Sequence, residues 1–297
     1  MSVQFLGALY LLGELCCSSV SLQTKVLATP HFLPGTPLGH VNALDETSGL
    51  CASRVHPNIL YAHNDKGDGP TIYALSALDG ELKKTIRIHG AHNYDWEDIA
   101  CGPCDENGGH CIYIGDTGDH AGDGARNIIY KVREPVTLNK HGDITLDVEA
   151  LIRFIWSPQQ QDSETLMVDP QRNLYLISKV ADGEGRVGMI ASSAWNASSL
   201  PIVSHLVTLP LSTGSDDPTG GDISPDGQEI LIQTHHQIFY WHTHDSVGIK
   251  ETFLESPVGV SFHHEKDAEA VAWDADGRGY FTVSEGHHKN LYYYTRQ

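Results

Sequence analysis

Asp95-Trp96-Glu97-Asp98-Ile99-Ala100 is the stretch from which the rest of the chain can be read, because weaker copies of it recur. Asp162-Ser163-Glu164-Thr165-Leu166-Met167 and Asp267-Ala268-Glu269-Ala270-Val271-Ala272 repeat its acidic opening. Glu46-Thr47-Ser48-Gly49-Leu50-Cys51 and Thr219-Gly220-Gly221-Asp222-Ile223-Ser224 are degenerate versions. Their third positions fall at 48, 97, 164, 221 and 269, which marks a self-similar unit and hence a repeat architecture.

Each copy leads through a turn into a second, more apolar run. Examples are Ile112-Tyr113-Ile114, Leu174-Tyr175-Leu176-Ile177, Ile230-Leu231-Ile232 and Tyr280-Phe281-Thr282-Val283, preceded by Pro, Asp, Asn and Gly. Short runs rich in Ile, Tyr and Val between such residues read as hairpins. A third strand follows in every unit, as at Thr71–Leu75 and Gln237–Trp241. A fourth is expected at Leu82–Ile88, Ala150–Trp156, Ser204–Leu209 and Ile249–Leu254. The last unit ends at Gln297 without one, so the strand-like segment Lys25–Phe32 is expected to close the ring. The fold class is all-β, a β-propeller of five blades, or six if the longer second unit hides a sheet.

Residues 1–20 carry an apolar run, Phe5 to Gly13, followed by small residues Cys16 to Ser19, which reads as a secretory signal peptide. It lacks a basic start, and Glu14 interrupts its end. Residues 21–297 then make one propeller domain, with no run of the ~18 apolar residues that a membrane span needs. Four cysteines remain beyond the signal: Cys51, Cys101, Cys104 and Cys111. An even number in a secreted chain suggests two disulfides with three possible pairings. Cys104 and Cys111 would staple a hairpin tip, leaving Cys51 and Cys101 on inner strands of adjacent blades. Asn196-Ala197-Ser198 is a glycosylation sequon.

The net charge of −19 argues against nucleic acid and anionic membranes as partners, since both require a basic footprint. A monomer acting on a small-molecule or glycan ligand is expected. In an antiparallel hairpin the start of one strand and the end of the next share an edge. In a propeller the first strands line the axis, so the acidic starts should converge at one mouth. Glu97, Glu164, Asp222 and Glu269 are the expected ligands of a metal, with Ca²⁺ favoured by all-oxygen donors. Asp95, Asp98 and His63 are candidates for proton transfer, and Asp65, Asp116, His120, Lys179 and Glu285 for contacts to substrate. Asp and Ser at strand starts also cap turns, which is the plain structural alternative.

Glu46-Thr-Ser-Gly-Leu, Ala62-His-Asn-Asp, Asp95-Trp-Glu-Asp-Ile-Ala, Tyr113-Ile-Gly-Asp-Thr-Gly-Asp, Asp162-Ser-Glu-Thr-Leu, Thr219-Gly-Gly-Asp-Ile-Ser-Pro-Asp-Gly and Ala268-Glu-Ala-Val together resemble a family of secreted propeller proteins common in bacteria, described as WD40-like or esterase-like. The resemblance implies the fold and carries little about the reaction. In the placement of its carboxylates, the chain is also similar to calcium-dependent nucleotidases and five-bladed glycoside hydrolases, at the level of fold. The expected activity is metal-dependent hydrolysis of a phosphate ester, ester or glycan. A calcium-dependent binding module and a lyase acting on uronates are the alternatives.

Overall fold

The structure, a computed structural model, describes residues 30–297 except 106–107, 120, 123–126, 140, 180–184, 210–216 and 244–247. The signal peptide expected at 1–20 therefore lies outside the described residues. So do residues 25–29 of the expected closing segment.

The described strands form five antiparallel meanders. Their inner strands are Thr47–Ala52, Trp96–Pro103, Ser163–Val168, Pro218–Ile223 and Ala268–Trp273. Each inner strand packs against the next, and the last packs back against the first, so the sheets surround one axis. Three of the inner strands are buried along their whole length, because both of their faces meet a neighbouring blade. Successive side chains on a strand point to opposite faces, so each inner strand feeds two cores. Cys51 joins the cluster between blades one and two while Leu50 joins that between blades five and one. Leu166 and Met167 divide likewise, as do Ala270 and Val271. The hydrophobic core is thus five inter-blade layers.

Ring closure differs from the expectation. The strand that pairs with the last one, Lys289–Thr295, is Thr36–Val41, and Phe32 adds a single bridge to Arg296. Pro30 and Pro34 cannot donate to a ladder, which moves regular pairing downstream. Pro37 is accommodated on this edge strand beside a register shift. The fourth strand of blade four is also displaced. Ile249–Phe253 is a short α-helix that buries Thr252 and Phe253, and the strand follows at Val258–Val260. The longer second unit is spent on an extended outer strand, Ile144–Arg153. It pairs parallel with Leu82–His89 and fuses blades one and two into an eight-stranded sheet.

Both disulfides form, Cys51–Cys101 between inner strands and Cys104–Cys111 across the hairpin. Closing the longer loop stabilises by about 4 kcal/mol in the chain-entropy account. Among the described residues no helix is long and apolar enough to cross a membrane.

The inner strands approach closely at Gly49. A Cβ there would lie 2.8 Å from the backbone nitrogen of Ile99 and 2.9 Å from the Cα of Asp98. Backbone cannot yield as a side chain can, so Gly49→Ala should lose roughly 1–3 kcal/mol of stability in urea unfolding. An unchanged midpoint would mean that the blades are not in contact there.

Candidate functional site

The mouth of the axis is built by one irregularity repeated in every blade. Pairing between the first and second strands skips a residue at Ser48, Glu97, Glu164, Thr219 and Glu269. Such bulges re-aim side chains and increase local twist. Gly221, placed third by the repeat spacing, sits two residues beyond the bulge, and Thr219 takes that place in blade four. Two residues before each bulge stands an acid: Glu46, Asp95, Asp162, Asp217 and Asp267. Asp217 escapes the sequence reading because Pro218-Thr219 replaces the Trp-Glu and Ser-Glu of its counterparts. The far ends of the second strands return beside these acids. The amides of Asp65, Thr117, Lys179 and Glu285 donate to the carbonyls of Glu46, Asp95, Asp162 and Asp267 at 2.9, 3.2, 2.7 and 2.9 Å.

The result is a polar cup of about 180 Å³. Among the described residues six acids line it, Glu46, Asp65, Glu97, Glu164, Glu269 and Glu285, and two cations, Lys66 and Lys179. Lys66 is a second cation beyond the one the sequence singles out; it lies 3.4 Å from Asp95. Lys179 contacts Glu164 at 2.5 Å. Glu97 is the shared member of two carboxylate groups. Its oxygens cluster with Asp65 and Asp95 on one side and with Asp162 and Glu164 on the other, within 4.8 Å in each group. Gly118 lets the backbone close over them, since a Cβ there would stand 2.3 Å from Glu97 Oε1 and 2.5 Å from Asp95 Oδ2.

Electrostatics follow from burial. Glu97 is pushed well above the usual carboxylate range, first by desolvation and then by Glu164, Asp65 and Asp95. Burial also raises Glu164, and there Lys179 opposes it, whereas Glu97 has only acids around it to reinforce the rise. Burial, reinforced by Glu164 and Glu285, lifts Glu269 to about 9. Burial lowers the Lys179 ammonium, yet Glu164 more than reverses that.

Other candidates stand behind the cup. Asp98 Oδ2 accepts from the Leu166 amide at 2.9 Å and Oδ1 from its own neighbour Ile99 at 2.8 Å. Asp222 Oδ2 accepts from the Trp273 amide at 2.9 Å, and burial raises its pKa to about 6. Both aspartates therefore bridge one inner strand to the next. Ser48 Oγ and Thr219 Oγ1 do the same at the bulge, donating to the carbonyls of Glu97 (2.6 Å) and Ala268 (3.0 Å). Asp116 accepts from the Asp95 amide at 2.9 Å and fixes the start of its strand. His63 is wholly buried, edge-on to Trp96, and burial lowers its pKa to about 4. Its Nδ1 lies 3.0 Å from the Asn64 carbonyl, which assigns the proton to that nitrogen. His120 lies outside the described residues. The structure thus brings together Asp65, Asp95, Glu97, Glu164, Lys179, Glu269 and Glu285. It sets Asp98, Asp116, Asp222 and His63 apart.

No known family pattern matches the chain, and no curated protein does. Among solved structures it is similar to the PQQ-bound form of aldose sugar dehydrogenase from Streptomyces coelicolor. The TM-score is 0.54 at 11% identity, over 91% of this chain and 99% of that one. That likeness supports the propeller fold alone.

Glu269 carries a pH signature. Its folded pKa stands above the ordinary 4.5, so its contribution is complete below 4.5 and is lost as pH rises toward about 9. In chelator, stability should fall over that window. Glu269→Gln should flatten the fall by on the order of 1–3 kcal/mol, read from urea midpoints across pH. An identical slope in the variant would remove Glu269 as its source.

Proposed function

We propose that the acidic cup is a divalent-cation site, Ca²⁺ by its donor chemistry, and that the protein is a secreted hydrolase of a phosphate ester, ester or glycan working there. The observation that carries this reading is the position of Glu97, buried between two groups of carboxylates that share it. Like charges so placed require either protons or a counter-ion. Oxygen-only donors on several strands suit a hard cation. Glu97, Glu164 and Glu269 would hold it, with Asp65 and Asp95 beside them. Asp222 is left out of this set, because its carboxylate already accepts the Trp273 amide.

When bound, Ca²⁺ would polarise a phosphoryl, acyl or glycosidic oxygen. Asp95 lies beside Glu97 and pairs with Lys66, which lines the cup, and would take the proton from water. Lys179, fixed by Glu164, faces the cup and would orient an anionic or hydroxyl-bearing part of the substrate. Asp98 and His63 support the seam and the packing behind these groups. A uronate lyase relying on His63 as base would need that buried ring exposed.

A second reading rests on the difference between Glu97, which burial and its acidic neighbours both raise, and Glu164, where Lys179 opposes burial. Two carboxyls pushed apart in pKa are an acid and base pair without metal, as glycoside cleavage uses. PQQ, named with the similar structure, is a tricarboxylate quinone. A cup with six acids and two lysines offers it no charge complementarity, and neither reading routes a step through it. The motif resemblance to secreted WD40-like or esterase-like propellers and the paired cysteines support export.

Thermal unfolding in EDTA against millimolar Ca²⁺, with Mg²⁺ as control, tests the site. A cation at a hundred times its dissociation constant adds ~2.7 kcal/mol. We expect a Ca²⁺-specific rise of several degrees that disappears in Glu97→Gln. No rise with either ion would discard the metal reading and leave the carboxyl pair. Glycan hydrolysis in EDTA, abolished in Glu97→Gln, would then establish that pair.

A further inference from the structure

At the end remote from the bulges, the layers between blades are finished by apolar side chains on the connections from third strand to fourth. Leu138 does this between blades one and two, and Trp195 between blades two and three. Phe253 does it between blades three and four, its ring centroid 5.2 Å from that of Trp241. Between blades four and five the part falls to Phe32, just ahead of the closing strand and 4.9 Å from Tyr280. In each case the later blade of the pair supplies the side chain, and three of the four are aromatic.

By that pattern the first blade should finish the seam between blades five and one, and its connection is too short to do so. It runs only from Ala77 to Glu81, between Thr71–Ser76 and Leu82–His89. The Gly80 amide donates back to the Ser76 carbonyl at 2.9 Å, which holds it to a tight turn. Ala77 reaches the seam with a methyl group alone, and Leu78 is left 64% exposed. What remains is a mostly apolar pocket of about 270 Å³. Leu38, Ile59, Ala77, Leu78, Phe281 and Tyr293 wall it, and all of these but Ala77 and Phe281 keep accessible surface. Ligand pockets usually span ~300–1,000 Å³, so this one suits a molecule of one or two rings.

The charged side chain among the described lining residues is the half-buried Asp274. Its Oδ2 accepts from the Tyr293 hydroxyl at 2.8 Å and its Oδ1 from the Asp276 amide at 2.9 Å. A carboxylate accepts about four hydrogen bonds, so each oxygen can take another. Arg278, on the same turn, pairs with Asp276 at 3.7 Å.

We propose that this seam binds a small aromatic amine. Its ring takes the place that Trp195, Phe253 and Phe32 hold in the other seams, and its ammonium pairs with Asp274. Burial of the ring supplies most of the affinity. The carboxylate, in a chain of net charge −19, selects a cationic ligand over an anionic one. The pocket stands at the opposite end of the axis from the acidic cup and does not depend on what that cup binds.

The test is isothermal titration of the disulfide-bonded protein at constant ionic strength, with tryptamine and indole-3-acetate as probes. Tryptamine should bind at one saturable site, roughly tenfold or more tighter than indole-3-acetate. Ala77→Leu supplies the missing side chain. It should weaken tryptamine roughly tenfold or more and melt no lower than the parent. Asp274→Asn should abolish the preference for the amine. Glu97→Gln, in the acidic cup, should bind tryptamine like the parent. If Ala77→Leu fails to fold, Leu78→Ser at the exposed rim carries the same comparison. Heat that never saturates, or equal affinity in the parent and the seam variants, would overturn the proposal. Binding lost only in Glu97→Gln would overturn it by moving the amine to the cup. Equal binding of the two probes by the parent would overturn it by removing Asp274 from recognition.

Discussion

Taking a carboxylate out of water is the costliest act this fold performs, and the rest of the molecule is arranged around it. The repeated bulge turns a strand residue toward the axis at the same level in every blade. Three of those residues are glutamates, Glu97, Glu164 and Glu269. Their charges cannot be spread over solvent, so protons, lysines or a cation must answer them. Lys179 answers Glu164 directly, and Glu97 is left with a proton or a ligand. A buried group in that position is held by its surroundings, which here means the packed layers between blades and the aspartates that bridge them.

Those bridges explain why so many acids occur at the start of the inner strands. Adjacent inner strands are not joined by a ladder of backbone bonds. Asp98 reaches the Leu166 amide and Asp222 the Trp273 amide, each crossing a seam that would otherwise leave a donor unmet. The same residue type thus serves two ends. One or three positions along the strand decide whether a carboxylate faces the ligand space or stitches two blades together.

This is also where the sequence stops being legible. The propeller could be read because each unit repeats turn chemistry and apolar runs of strand length. Four cysteines leave three pairings open, and the strand placement suggested the one that forms without fixing it. The bulge could not be read, because an extra residue resets the alternation of faces without changing composition. Asp222 stands in the place of Asp98 in the repeat, one position past Glu97, and like Asp98 it sits behind the cup on a neighbouring amide. Blade four hid its true register because Thr219 replaces glutamate and Pro218 an ordinary strand residue. At two places in the ring, the closure and blade four, local chemistry overrode the pattern. Prolines shifted the closing strand to Thr36–Val41, and the run from Ile249 folded into a single helical turn with Phe253 as its anchor.

The parallel pairing between Leu82–His89 and Ile144–Arg153 makes the ring mechanically uneven. Blades one and two share a continuous sheet and the Cys51–Cys101 crosslink. Blade three is tied to this pair by a shorter parallel ladder, Ile155–Ser157 with Ile202–Ser204, and the remaining seams rely on side-chain packing and a few bridging polar contacts. Asp65, Lys66, Asp95 and Glu97 all belong to the fused pair, while Glu164, Lys179 and Glu269 are carried by blades three and five. The cup is therefore a vice with one fixed jaw, and its aperture is set by how the more loosely joined blades settle against that jaw.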